Sequence, residues 1–177
     1  MSGHNKWAQI KRQKGSEDAK KSKIFGKYGS LIANEVKRLK GDVNAASVKV
    51  LIDKAKKENM PKDTIDRALK KGQSSDMVAS EELIYEAYGP GACAMIIVAL
   101  TSNRNKAAQE IKHILSKNGF ALASAGSATW AFTRHPDGEY SPNSTMDLED
   151  ADLEALEKLV DELESCEEVQ DVYTNVE

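Results

Sequence analysis

The 177-residue chain is 40% hydrophobic and 30% charged, a composition suited to a buried core in one or two domains. Its net charge of −3 conceals a division at Gly72: residues 1–72 hold 19 Lys+Arg against 8 Asp+Glu, net +11, and residues 73–177 hold 6 against 20, net −14. No apolar run approaches 18 residues and no secretory h-region follows the N-terminus, so no membrane span or export signal is expected and the location is read as cytoplasmic. Cys93 and Cys166 are too few and too far apart for a disulfide framework or zinc spacing, and read as packed apolar residues.

The chain opens with its densest cationic stretch. Lys6, Lys11, Arg12, Lys14, Lys20, Lys21, Lys23 and Lys27 stand against only Glu17 and Asp18, with His4 and Trp7 set among them. A polyanion is the natural partner. Lysine and arginine release counterions from phosphates, Trp7 offers a face for an unpaired base, and His4 can donate to phosphate or stack. A solvated interaction tail is the alternative.

A helix is predicted over residues 16–40, with Ser16, Glu17 and Asp18 as cap and acidic first turn and Ile24, Tyr28, Leu31, Ile32 and Leu39 as its apolar stripe. A second starts near Asp42 or Asn44, with Val48, Leu51, Ile52 and Ala55 inward. A third opens at Pro61, near its first position, turns Ile65, Ala68 and Leu69 inward, and closes at Gly72. Residues 1–78 thus form a basic helical domain with an N-terminal arm, and residues 73–81 a boundary without periodicity.

Residues 82–177 then read as an acidic α+β domain. Residues 83–88 alternate like a strand and stop at Gly89-Pro90-Gly91, a turn signal rather than a phosphate loop. The apolar run 92–100 is a central strand, followed by a helix over 104–117 capped by Ser102 or Asn103 and ended by Asn118-Gly119. Residues 127–134 alternate as a strand with Ala128, Trp130 and Phe132 on one face, His135–Gly138 is a turn, and 139–142 a short partner strand. An acidic helix over 147–165 points Leu153, Leu156, Leu159, Val160 and Leu163 inward, and 168–173 is a last strand. From residue 92 the order is βαββαβ, which predicts a ferredoxin-like sheet of four antiparallel strands with two helices on one face.

No catalytic set is visible. His4, His113 and His135 lie in an arm, a helix and a turn, without a nucleophile at motif spacing, and no cofactor or metal is expected. The carboxylates of residues 149–168 read as a solvated helix face. Asn103-Arg104-Asn105-Lys106 is either an anion-holding helix start or plain capping.

Several motifs together resemble a known family. Gly3-His4-Asn5-Lys6-Trp7-Ala8, then Ile10-Lys11, Ala19-Lys20 and Lys23-Ile24-Phe25, are similar to the GHSKWA, IK and AK..KIF signature that opens the YebC family, which includes a mitochondrial translational activator of cytochrome oxidase subunit one. The likeness continues through Asn59-Met60-Pro61-Lys62-Asp63-Thr64-Ile65, Tyr85-Glu86, Tyr88-Gly89-Pro90-Gly91, Asn103-Arg104-Asn105, and Gly126-Ser127 with Trp130 and Phe132. Asn5 stands where the family usually has Ser. Members usually carry a further domain of some sixty residues where this chain has only the turn at 135–138, so the resemblance is to a short form of the family.

The resemblance implies a regulator of gene expression, either a translation factor touching rRNA or tRNA on the ribosome or a regulator binding duplex DNA. The arm suits irregular single-stranded RNA; a DNA reader would need a recognition helix, for which only the third helix, with Lys62, Asp66, Arg67, Lys70 and Lys71, qualifies. No dimerisation signature is present, and a monomer is expected.

Overall fold

The structure is a computed structural model that describes Trp7 and residues 17–177. The chain divides into two compact units, one of them Gly15–Ser80 and the other built on Glu81–Glu177.

The first unit consists of helices α1 (Glu17–Arg38), α2 (Ala46–Lys57) and α3 (Lys62–Gln73). Ile32, Ala55, Met60, Ile65 and Ala68 form its core, with Phe25, Tyr28, Leu51, Ile52 and Leu69 packed around them. Burial of Ile32, Met60 and Ile65 contributes about 1.5–3 kcal/mol each. α2 begins later than the charge pattern suggests, because the Asp42 carboxylate accepts the Asn44 amide at 2.9 Å and commits those residues to a turn. Pro61 lies just outside α3 as its N-cap, and its carbonyl accepts the first helical amides, from Thr64 and Ile65. α3 crosses α1 closely at Gly72, where a Cβ would stand 2.5 Å from the Ala33 carbonyl oxygen. The segment after α3 is fastened back along α1: Lys37 donates to the Ser74 carbonyl at 2.8 Å, and Asn34 exchanges two hydrogen bonds with the Ser80 backbone.

The second unit runs β1 (Glu81–Tyr88), β2 (Ala94–Thr101), α4 (Arg104–Lys117), β3 (Phe132–Arg134), β4 (Tyr140–Pro142), α5 (Asp150–Ser165) and β5 (Val169–Thr174). β1, β2 and β5 form one antiparallel sheet in that order, with β2 central. β2 alternates Met95, Ile97 and Ala99 toward α4 and α5 with Ala94, Ile96 and Val98 toward the opposite face. Burial on both faces explains its unbroken apolar run.

The α+β class and the βαββαβ order from β2 onward hold, but the sheet differs from the four-stranded one expected. β3 and β4 pair only with each other, as a ribbon laid over the face away from the helices, where Ala128, Ala131 and Phe132 cover β2. The cause lies just upstream. Residues 129–131, expected as strand, form a 3-10 turn because the Glu86 carboxylate binds the amides of Gly126, Ala128 and Thr129, leaving β3 three residues long. Trp130 is thereby turned away from Ala128 and Phe132 and is 67% exposed.

Trp7 is the second departure. Placed by the sequence in the basic domain, it is 8% exposed and belongs to the core of the second unit with Ala87, Met95, Ile111, Leu156 and Val172.

Candidate nucleic-acid interface

Of the cations expected to meet phosphate, Lys20, Lys21, Lys23 and Lys27 lie on α1. Helical periodicity sets Lys20, Lys23 and Lys27, at i, i+3 and i+7, on the side opposite Phe25, Tyr28 and Ile32, which face the core. Lys21 and Lys23 are exposed; Lys20 and Lys27 are partly covered. His4, Lys6, Lys11, Arg12 and Lys14 lie outside the described residues. Trp7 leaves the set: a ring buried in an apolar core has no face to offer a base.

The same unit carries cations beyond the arm and α1, those on α3 being the ones a DNA-recognition helix would use. Lys49, Lys56 and Lys57 are exposed on α2, and Lys62, Arg67, Lys70 and Lys71 on α3. The end-of-helix lysines also suit the negative ends of the α2 and α3 dipoles. Arg67 folds back over its own helix, toward the Asp63 carbonyl and the Thr64 hydroxyl at 3.3 Å each. Glu35 and Arg38 form a two-bonded pair at 2.9 and 2.6 Å, and the guanidinium holds the Glu35 carboxyl below its usual range.

The second unit offers phosphate little. Four of its cations are turned onto carboxylates: Arg104 onto Glu81 at 2.8 Å, Lys106 onto Glu168 at 2.9 Å, Lys117 onto Glu162 at 3.2 Å and Arg134 onto Glu82 at 2.7 Å. Asn103 accepts the Lys106 amide at 3.1 Å, so the start of α4 is capped by its own side chain and its two cations are engaged. Plain capping is therefore the reading that fits Asn103–Lys106. Cys93 is buried, which pushes its thiol up to about 11. Cys166 is only partly buried, and its thiol donates to Glu110 at 3.2 Å rather than packing as a purely apolar group. Among the described residues, no helix is long and apolar enough to cross a membrane.

What sequence reasoning missed is an aromatic pair. The Trp130 indole N–H donates to the Ser127 carbonyl at 2.7 Å and to the Tyr88 hydroxyl at 3.1 Å, while that hydroxyl itself donates to Ser127. Both rings lie at the surface, Tyr88 37% exposed. The period-two spacing of Trp130 and Phe132 reads first as core and second as an aromatic platform for RNA; the hydrogen-bonded partnership of Trp130 with Tyr88 is what the spacing does not show.

Residues 5–75 match the TACO1/YebC protein N-terminal domain, and residues 80–136 and 135–176 match the TACO1/YebC second and third domain. The two latter stretches meet where β3 turns into β4. A probable transcriptional regulatory protein of Fervidobacterium nodosum is 43% identical over 171 residues, which is 96% of this chain and 68% of that protein. One from Thermotoga maritima is 39% identical over 176 residues, 98% of this chain and 70% of that protein. The crystal structure of a conserved hypothetical protein from Aquifex aeolicus superimposes with a TM-score of 0.78 at 25% identity, over 97% of this chain and 96% of that one. With matches that run from residue 5 to residue 176 in the order of the family's domains, the chain belongs to the TACO1/YebC family.

Proposed function

We propose that this chain is a nucleic-acid-binding regulator of gene expression, acting as a ribosome-associated translation factor whose cationic front contacts rRNA or tRNA. The observation that carries the reading is the charge division: residues 1–72 hold net +11 against net −14 for residues 73–177, and the cations of α1, α2 and α3 stand on one small helical unit. Lys20, Lys21, Lys23 and Lys27, with His4, Lys6, Lys11, Arg12 and Lys14 of the preceding segment, supply the phosphate contacts. The printed names of the relatives support a regulator. The reading assigns no catalysis and no cofactor.

RNA is preferred over duplex DNA for a physical reason. Sequence-specific DNA readout needs side chains free to pair with base edges, and the exposed cations of α3 are Lys62, Lys70 and Lys71, with its one arginine folded back on the helix. Lysines there suit backbone contact with any phosphate polymer. The relatives' names, which print a transcriptional regulatory role, keep a transcriptional regulator acting on duplex DNA as our second reading. Sedimentation of cell extract through a sucrose gradient at low salt tests the first: co-migration with ribosomal fractions is expected, and absence from all of them overturns it. Tight binding to one duplex over unrelated duplexes would establish the second.

A further inference from the structure

Trp130 combines wide exposure with an unusually fixed position. Its indole N–H is committed to Ser127 and Tyr88, its carbonyl accepts from the Asn143 amide at 3.0 Å, and the loop before it is held by the Glu86 carboxylate. The Tyr88 hydroxyl is committed to Ser127 as well. The polar groups of both rings already have hydrogen-bond partners, so what the exposed indole offers a newcomer is its ring. A proline-rich peptide, which recruits the Trp N–H as donor, finds it taken, and an amphipathic helix needs a broad apolar groove, whereas Trp130 is hydrogen-bonded to the polar residues Ser127 and Asn143. A ring face alone attracts either another flat ring or a cation.

Charge separates these two. The side of the sheet that carries the β3–β4 ribbon presents Glu82 and Asp171 from its strands and Asp137 and Glu139 from the ribbon's turn, against Arg134, while Glu86 on the same face is buried. Residues 81–177 as a whole hold 6 Lys+Arg and 19 Asp+Glu. A phosphate-linked base approaches such a surface against repulsion, and a guanidinium is drawn to it. The ribbon already contains a small example of the mode: the Arg134 guanidinium lies 5.8 Å from the centroid of the Tyr140 ring while donating to Glu82 at 2.7 Å.

We propose that Trp130 is the centre of a docking site for an arginine-bearing segment of a protein partner, with a guanidinium stacked on the indole and the carboxylates around the ribbon supplying the attraction. The two units then grip opposite charges, a polyanion by the helices and a basic protein by the sheet. This site stands independently of the nucleic-acid reading.

The test uses the full chain labelled with nitrogen-15, following the Trp130 indole N–H signal during titration with a dodecapeptide of alternating arginine and serine, its lysine counterpart, and dodecauridine. The arginine peptide is expected to shift that signal and to bind more tightly than the lysine peptide, since a planar guanidinium stacks where an ammonium cannot. Trp130→Ala should weaken the arginine peptide about tenfold. Trp130→Phe, which keeps a ring in place, should retain part of the affinity, and Asp137→Asn with Glu139→Gln should weaken it further at low salt. Equal affinity of Trp130→Ala and the parent chain overturns the proposal, as does an indole signal that the peptide leaves unmoved. A signal moved by dodecauridine alone would instead assign the ring to an unpaired base.

Discussion

The Ala128 amide donates to the Glu86 carboxylate at 2.6 Å, across 42 residues of sequence. The same carboxylate takes the Gly126 and Thr129 amides at 2.6 and 2.9 Å and is itself only 6% exposed. Burial pushes its pKa up, but the three backbone donors outweigh it, so the folded chain holds Glu86 below its usual value. A depressed carboxyl adds stability that is complete above its unfolded pKa, near ~4.3, and lost as pH falls through the folded value. Glu86→Gln replaces one acceptor oxygen by a donor facing a donor, and should cost about 2 kcal/mol at neutral pH. Urea unfolding should give a constant gap between the two proteins from about pH 7 to 5, closing below about pH 4. A gap independent of pH would contradict the assignment.

Two helical glycines should respond to alanine with opposite sign. At Gly72 an added Cβ would lie 2.5 Å from the Ala33 carbonyl oxygen and 2.7 Å from the Val36 Cβ, so α1 and α3 must separate; a loss of about 1–3 kcal/mol is expected. At Gly26, within α1, nothing lies within 4 Å of the new methyl, and the gain in helix propensity should stabilise by about 0.5–1 kcal/mol. Thermal unfolding of Gly72→Ala and Gly26→Ala decides both, and a destabilised Gly26→Ala would mean that this face of α1 is covered.

Trp7 and Trp130 are the chain's two tryptophans, one 8% and the other 67% exposed. Trp130→Phe should therefore leave blue-shifted emission that acrylamide quenches poorly, and Trp7→Phe emission that it quenches readily. Trp7→Ala should destabilise the protein by about 3–5 kcal/mol through the cavity it leaves. Strong quenching of the Trp7 emission would restore that ring as a surface for bases.

These two tryptophans mark where the sequence could and could not be read. The inward residues of α5, Leu153, Leu156, Leu159, Val160 and Leu163, are all buried as their spacing requires, and α4 spans Arg104–Lys117 as its caps predict, because both are set by neighbours within a few turns. Trp130 escaped because the turn before it is imposed by Glu86, some forty residues upstream, and that tertiary demand overrides a local alternation. Trp7 escaped for a related reason. Its partners, from Ala87 to Val172, are distant in the chain, so among nearby lysines it has no periodic companion to betray a core position. The basic character of the first unit was plain from composition, but composition assigns no lysine to a face.

Lys20, Lys23 and Lys27 make that last step testable. They lie across α1 from Phe25, Tyr28 and Ile32, with Lys23 exposed and Lys20 and Lys27 partly covered, so converting all three to Gln should lower stability by no more than about 1 kcal/mol per lysine, the scale of surface ion pairs. Binding should change. Each lysine that meets a phosphate of single-stranded RNA releases close to 0.7 of a counterion, so losing three contacts should lower the slope of log K against log salt by about 2. Fluorescence anisotropy with labelled dodecauridine, between about 50 and 200 mM salt, measures that slope. Lys112→Gln with Lys158→Gln, which removes the same kind of charge from the acidic unit, should leave it unaltered. If both variants shifted the slope equally, binding would follow net charge rather than the helical face, and α1 would lose its place in the interface.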